Sequence, residues 1–166
     1  MYENQSVRRW FALGLFSCAG LLTTAFWFQY VKGLEPCPMC MMERIIIGLA
    51  AVSCLLGILA GHTRVGIAAS LALLLSTGLG MIQAGRHVWL QQLPKDQIPA
   101  CQPPLSYLAD ILPLSELLTL MMSGSGDCAA TVWRFMGMSI PGWTLVAFMA
   151  LFLLGLLTLL IKMGIK

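Results

Sequence analysis

The sequence predicts an all-α integral membrane protein, a bundle of four transmembrane helices whose two non-cytoplasmic loops each bear a cysteine pair. Three observations lead there. Of 166 residues, 58% are hydrophobic and only 10% charged, and the mean hydropathy is +0.83. A soluble domain carries about 25% charged residues, so the apolar excess has to face lipid. Four stretches are long and apolar enough to cross a bilayer, which takes about 20 residues. The links between them alternate in length, and the two longer ones hold four of the six cysteines.

Taken in order, the first span runs over about 10–30 without a charge, and the second over about 40–60. The third covers about 65–84, rich in Leu, Ala and Gly, and the fourth 143–161. Trp10, Trp27, Tyr30, Trp89 and Trp143 stand at or near span ends, where an aromatic belt belongs. All four spans form a single membrane domain over 1–166, with external loops at 31–44 and 85–142. Gly61 to Arg64 is a tight turn between the second and third spans.

Orientation follows from where the cations crowd. Arg8, Arg9, Arg64, Lys162 and Lys166 sit in the short tails and the tight turn; Lys32, Arg44, Arg86, Lys95 and Arg134 are spread over the longer links. The totals tie, but density next to the span ends puts both termini in the cytoplasm. Arg8-Arg9-Trp10-Phe11 looks like a twin-arginine signal, and Leu15-Phe16-Ser17-Cys18 like a lipoprotein box. Both fail because the apolar run continues through Phe28, so the segment is a retained helix. A net charge of +3, scattered along the chain, argues against nucleic-acid binding.

The cysteines sort into three kinds. Cys18 and Cys54 lie inside spans, and Cys54 is about 21 Å along the helix from Cys40, so these two are packing residues. Cys37-Pro38-Met39-Cys40 opens the second span. A helix start offers unpaired N–H groups and a positive dipole end, which favour a thiolate. Pro38 suits the first turn. Cys37, Cys40 and Arg44 fall within an arc of about 60°, so the Arg44 cation can stabilise a Cys40 thiolate or an anion beside it. An interfacial anchoring role for Arg44 is the plainer reading. Cys101 and Cys128 lie in the long loop, each in a setting that exposes it. Cys101 sits on a strand kept extended by Pro99, Pro103 and Pro104. Cys128 follows Gly124-Ser125-Gly126-Asp127, a flexible hinge. Between them the apolar stretch 111–122 either lies in the membrane interface as a short helix or packs on the bundle.

Four external cysteines admit a zinc site, two inert disulfides or a thiol–disulfide relay. Cys101 and Cys128 lack the close spacing of a second zinc knuckle, so no metal is expected. Inert disulfides are common outside the cytoplasm, yet need neither an extended strand nor a helix-start pair with an arginine one turn on. A relay uses each feature.

Trp27-Phe28-Gln29, then Pro36-Cys37-Pro38-Met39-Cys40 with Glu43-Arg44, resembles the first external loop of the bacterial disulfide bond formation protein B (DsbB) family. Gly126-Asp127-Cys128-Ala129, followed by Trp133, Phe135, Gly137, Pro141 and Trp143, resembles its second loop and last span. His87 and Gln91 stand where that family has a histidine and a glutamine near the quinone. The resemblance implies a quinone-dependent protein thiol–disulfide oxidoreductase of the bacterial inner membrane, with its active loops periplasmic. It would reoxidise a DsbA-like periplasmic thioredoxin-fold partner and pass the electrons to ubiquinone or menaquinone of the respiratory pool. The general potentials of such couples show the need: oxidising a partner near −120 mV with a glutathione pool near −200 mV is uphill by roughly 3.7 kcal/mol. The implied catalytic residues are Cys37, Cys40, Cys101, Cys128 and Arg44; Arg44, Cys40, His87 and Gln91 would hold the quinone. In the implied order, the partner attacks Cys101, the freed Cys128 attacks Cys37, and Cys40 leaves as a thiolate. A vitamin K epoxide reductase-like oxidoreductase is the alternative enzyme, but there the C-x-x-C lies near the last core helix. A disulfide-stapled membrane subunit without activity is the non-enzymatic one.

Overall fold

The computed structural model describes residues 2–60, 64–94, 96–103, 105–130 and 133–164. The turn residues 61–63 and Lys95, Pro104 and Lys166, on which parts of the sequence reading rest, lie outside these. Helices α1 (Tyr2–Tyr30), α2 (Pro38–Ala60), α3 (Arg64–Leu90) and α7 (Ile140–Lys162) are each long and apolar enough to cross a membrane. The 23 residues of α2 extend about 34 Å, enough for a hydrocarbon core of about 30 Å. Between α3 and α7 the long link folds into α4 (Leu105–Ile111), α5 (Leu114–Ser123), α6 (Gly126–Ala129) and a two-stranded hairpin, β1 (Arg134–Phe135) with β2 (Met138–Ser139).

Around the bundle α3 packs extensively on both α2 and α7, α1 packs on α2, and α1 meets α7 only lightly. Phe11, Ile47, Ala50, Leu73, Ala84, Phe148 and Leu151 form the buried interior. Phe16, Leu59, Leu75, Ile82 and Leu153 point outward, each more than 60% exposed. That is the pattern of a protein dissolved in lipid. Lipid tails are as apolar as the interior, so helix association rests on close packing and interhelical hydrogen bonds rather than on escape from water. Gly80 shows the first: a Cβ there would lie 2.4 Å from the Phe148 ring, so only glycine lets α7 come this near α3. Ser70 and Thr158 show the second, with their hydroxyls 3.1 Å apart inside the bundle.

Helix starts follow proline. Pro38 begins α2, Pro113 precedes α5, and Pro141 occupies the first turn of α7. Expected boundaries change in three places, the first being α1, which begins at Tyr2 rather than near Trp10. The third helix does not stop at Ala84 but continues to Leu90, so the long link begins at Gln91 rather than Gly85. Apolarity fades at Arg86, yet no helix breaker occurs before Pro94, and a helix ends where its hydrogen bonds end. The apolar stretch 111–122 is no single helix either, because Pro113 divides it. One face of α5 turns to the bundle, where Gln83 Nε2 donates to the Met121 carbonyl at 3.2 Å; Leu114 and Met122 face outward.

Candidate functional site

Cys37 immediately precedes the first turn of α2. The Cys40 backbone N–H donates to Cys37 Sγ at 3.3 Å, and Cys40 Sγ stands 3.0 Å from Cys37 Sγ. This is the helix-start geometry expected of the spacing, with free backbone donors aimed at sulfur. The extension of α3 beyond Ala84 carries His87 to the same place. Its Nε2 lies 3.7 Å from Cys37 Sγ and its Nδ1 2.8 Å from Glu43 Oε1. His87 and Glu43 are both buried. A titratable pair inside a membrane protein is costly and marks function.

Helix α6 brings the third element. Cys128 Sγ, Cys37 Sγ and a His87 ring nitrogen all lie within 4.8 Å of one another. Cys128 is 1% exposed, packed with Met39 and Leu90; the expectation that it is exposed is corrected here. The expected hinge is corrected too. Gly126 is buried, its N–H bonds the Ala100 carbonyl at 3.2 Å, and a Cβ on it would sit 2.6 Å from the Pro99 carbonyl oxygen and 3.0 Å from Cys101 Sγ. Glycine here permits a close crossing of two chain segments; it does not swing Cys128 toward Cys37, because Cys128 is already there. Cys101 is exposed on a stretch without regular secondary structure. The structure thus brings three of the four external sulfurs to one point, with the fourth beside the segment that carries the third.

The two cysteines of the long link differ electrically. Cys101 is held above the usual thiol range by the Asp127 carboxylate, which accepts its hydrogen bond and repels its thiolate. Cys128 is pulled down to about 5, chiefly because the Cys37 thiol donates to it, with backbone groups of Ser125 and Met39 adding and burial opposing. As donor in that bond, Cys37 is pushed up. In this fully reduced arrangement the helix start does not by itself make Cys37 the thiolate.

A cavity of about 710 Å³ opens beside these sulfurs, within the range of about 300–1,000 Å³ typical of ligand sites. Cys37, Cys40, Glu43, Arg44, His87, Gln91 and Cys128 form its polar end. Glu35 and Asp127 also line it, and the rest is mostly apolar wall with a few hydroxyls between α1 and α7, from Leu21 and Phe28 to Ala147 and Leu154. Phe28, Trp133, Phe135 and Trp143 make a chain of ring contacts at 5.1, 5.8 and 6.1 Å. Trp143 Nε1 donates to the Phe135 carbonyl at 3.1 Å, which ties the hairpin to α7. Arg44 lines the cavity but spends its donors on α1: one nitrogen bonds Gln29 Oε1 and the other the Ala25 carbonyl at 3.0 Å. Its guanidinium also lies 5.3 Å from the centre of the Phe26 ring.

Sequence reasoning missed Glu43 as a site residue. The signal was present: an acid in an apolar helix, three residues beyond Cys40 and so close to its face. Nothing in the sequence marked His87 as its partner, since 44 residues separate them.

Comparison with known proteins shows the family. The chain matches the family described as disulfide bond formation protein DsbB over residues 7–158, which includes all six cysteines. A disulfide bond formation protein B of Marinobacter nauticus is 47% identical over 154 residues, 92% of each chain. Proteins of the same name from Hahella chejuensis and Methylococcus capsulatus are 49% identical over 132 residues, 78% of this chain and 79% of the relative, and 42% identical over 147 residues, 88% and 90%. With four apolar helices, four of the six cysteines in the loops at one end of the bundle and relatives matched over most of their length, this chain belongs to the DsbB family of disulfide bond formation proteins.

Proposed function

We propose that this chain regenerates the disulfide of a DsbA-like thioredoxin-fold partner in the bacterial periplasm and delivers the two electrons to membrane quinone. The observation that carries the reading is the meeting of Cys37 and Cys128 at the mouth of a mostly apolar cavity. A relay between two disulfides needs one sulfur of each within reach of the other.

Two features of the long-link cysteines support the direction of attack. In thiol–disulfide exchange the sulfur with the lower pKa leaves faster, and Asp127 holds Cys101 up whatever the state of Cys37. Cys101 is also the exposed sulfur and Cys128 the buried one, so in a Cys101–Cys128 disulfide a partner thiolate attacks Cys101, stays joined to it and releases Cys128. The Cys128 thiolate then attacks Cys37 of the Cys37–Cys40 disulfide, forming a Cys37–Cys128 bond and releasing Cys40 as a thiolate at the helix start. The partner's second thiol breaks the mixed disulfide and frees Cys101. Cys101 attacks Cys128, restoring the Cys101–Cys128 disulfide and leaving Cys37 and Cys40 reduced. His87, with Nδ1–H donated to Glu43, offers its Nε2 lone pair to the Cys37 proton.

The cavity fits a quinone: a flat apolar ring with two carbonyl oxygens needs a few donors among apolar walls, and Arg44, His87 and Gln91 stand at the sulfur end. Bound there, it supplies the two-electron acceptor that reoxidises the Cys37–Cys40 dithiol. Ubiquinone and menaquinone both fit this description. Arg64 and Lys162 cap α3 and α7 at the end away from the sulfurs, which supports cytoplasmic termini and periplasmic active loops.

The test is quinone reduction by the purified protein supplied with a reduced thioredoxin-fold partner. One quinone should be reduced per partner disulfide formed, and a Cys128→Ser variant should accumulate a reductant-sensitive covalent complex that Cys101→Ser does not. Well-folded protein that reduces no quinone, or equal trapping by both variants, would overturn the reading.

A further inference from the structure

We propose that the reduced protein holds a divalent cation of the zinc class at Cys37, His87 and Cys128, and that this metal competes with disulfide formation. Zinc bonds sulfur at about 2.3 Å and imidazole nitrogen at about 2.0–2.1 Å, in a tetrahedron. Those lengths fix the edges of the site: about 3.6 Å from sulfur to nitrogen and about 3.8 Å between sulfurs. Cys37 Sγ and His87 Nε2 are 3.7 Å apart, already one such edge. All three donor atoms fall within 4.8 Å of one another, so small side-chain rotations complete the face.

The histidine is prepared for a metal in a further respect. A metal-bound imidazole typically donates its other N–H to a carboxylate, which fixes the tautomer and strengthens the ligand. His87 Nδ1 stands 2.8 Å from Glu43 Oε1, leaving Nε2 free to bind. Cys40, whose sulfur is 3.0 Å from that of Cys37 and lies outside this group of three, reaches the fourth position by moving out to the edge of about 3.8 Å. The three core ligands come from three separate segments, so the site exists only in the folded bundle. Burial of Cys128 and His87 keeps water from competing.

Binding requires thiolates. Each cysteine gives up its proton as it takes the metal, and no electrons move. A sulfur in a disulfide has no such site, so the oxidised protein and any Cys37–Cys128 linkage exclude the metal. The site itself stands on geometry; only its effect on turnover rests on the relay proposed above.

The experiment uses full-length protein in detergent, reduced by a phosphine that is then removed under anaerobic conditions. Co²⁺ is the probe, because four-coordinate thiolate cobalt shows intense visible d–d bands and an ultraviolet charge-transfer band. One equivalent should give both, and Zn²⁺ should abolish them. Cys128→Ser and His87→Ala should each weaken binding at least tenfold, and the isosteric Glu43→Gln about tenfold, in line with other carboxylates behind metal-bound histidines. Cys101→Ser and the Cys18→Ala, Cys54→Ala double variant should match the parent. The proposal is overturned if reduced parent gives no bands. It is equally overturned if His87→Ala, Glu43→Gln and Cys128→Ser all bind like the parent, which would place the metal on other sulfurs. Zn²⁺ should also slow partner-driven quinone reduction in step with occupancy. A protein that binds cobalt but never reduces quinone would sink the relay and leave the metal site standing.

Discussion

At Asp127 a single carboxylate touches both halves of the long-link chemistry. Its Oδ2 accepts from the Gln102 N–H and from Ser125 Oγ, each at 3.4 Å, while it holds the exposed Cys101 thiol above its ordinary range. The sign of its effect is clear. Removing the negative charge lowers the Cys101 pKa toward the free-thiol value, so more thiolate is present near neutral pH. Asp127→Asn should speed alkylation of Cys101 at pH 7.5 by roughly threefold to tenfold, and the gap to the parent should close above pH 10. Alkylation rates measured across pH on protein with Cys101 as its one accessible thiol check this. An unchanged rate would remove the electrical asymmetry between Cys101 and Cys128 on which the direction of attack depends. At this scale the sequence was legible where chemistry is local. Cys40 and Arg44 share α2, with Cys37 just before its first turn, and spacing alone relates them. Cys128 beside Cys37, and Glu43 on His87, arise from packing between segments, which no short-range pattern encodes.

Among the elements, α6 shows how a residue type can be read correctly and its purpose wrongly. Gly126 reads as a hinge because glycine is permissive, but buried and crossed by 99–101 it is there because a side chain would not fit. Gly126→Ala should therefore push α6 off the Cys101 stretch, costing about 1–3 kcal/mol locally. Partner-driven turnover should fall roughly tenfold or more, because reacting sulfurs displaced by an ångström lose their alignment. Helical content should be unchanged, so circular dichroism and turnover together separate this from misfolding; full activity would restore the hinge. The hairpin is different again: Met136 at φ +50° and Gly137 at φ +82° form a tight turn of the kind that matches strand twist, and the sequence reading knew Gly137 only through family likeness. Arg44 makes a third case. Its expected place on the cysteine side of α2 holds in that it lines the cavity, but its planar fork bridges to Gln29 and Ala25 on α1. An ammonium cannot reproduce that fork. Arg44→Met should raise the KM for quinone about tenfold or more, and Arg44→Lys should recover only part of the loss. Expression should be similar in both; quinone kinetics at saturating partner decide it. A Met variant with parental KM would return Arg44 to the role of interfacial anchor.

Across the whole molecule, the uneven packing of four helices sets where chemistry can happen. Because α3 grips both α2 and α7 while α1 meets α7 lightly, the bundle opens on one side, and the cavity lies in that opening with the sulfurs at one end. The number of spans and their rough limits were legible from apolar length, since lipid leaves the backbone no alternative to a helix. The opening was not, because it depends on which helix faces touch, and outward Leu and Phe look the same in sequence as inward ones. Depth then separates the six cysteines. Cys18 and Cys54, both fully buried, hydrogen-bond to each other between α1 and α2, well inside the bundle. Cys101 lies at the end where the long link folds. Orientation in a membrane follows if that end is the periplasmic one, and labelling from outside tests it directly. With Cys101 as the sole accessible thiol, a membrane-impermeant maleimide should label intact spheroplasts as fully as lysed ones. A cysteine at the exposed position of Gln5, in a chain whose own Cys101 is serine, should be labelled only after lysis. Both changes spare Arg8 and Arg9, so the positive charges that fix the first helix remain in place. Labelling of the residue 5 thiol in intact spheroplasts, with Cys101 protected, would invert the protein in the bilayer and put the thiol relay in a reducing compartment, where its disulfides would not persist.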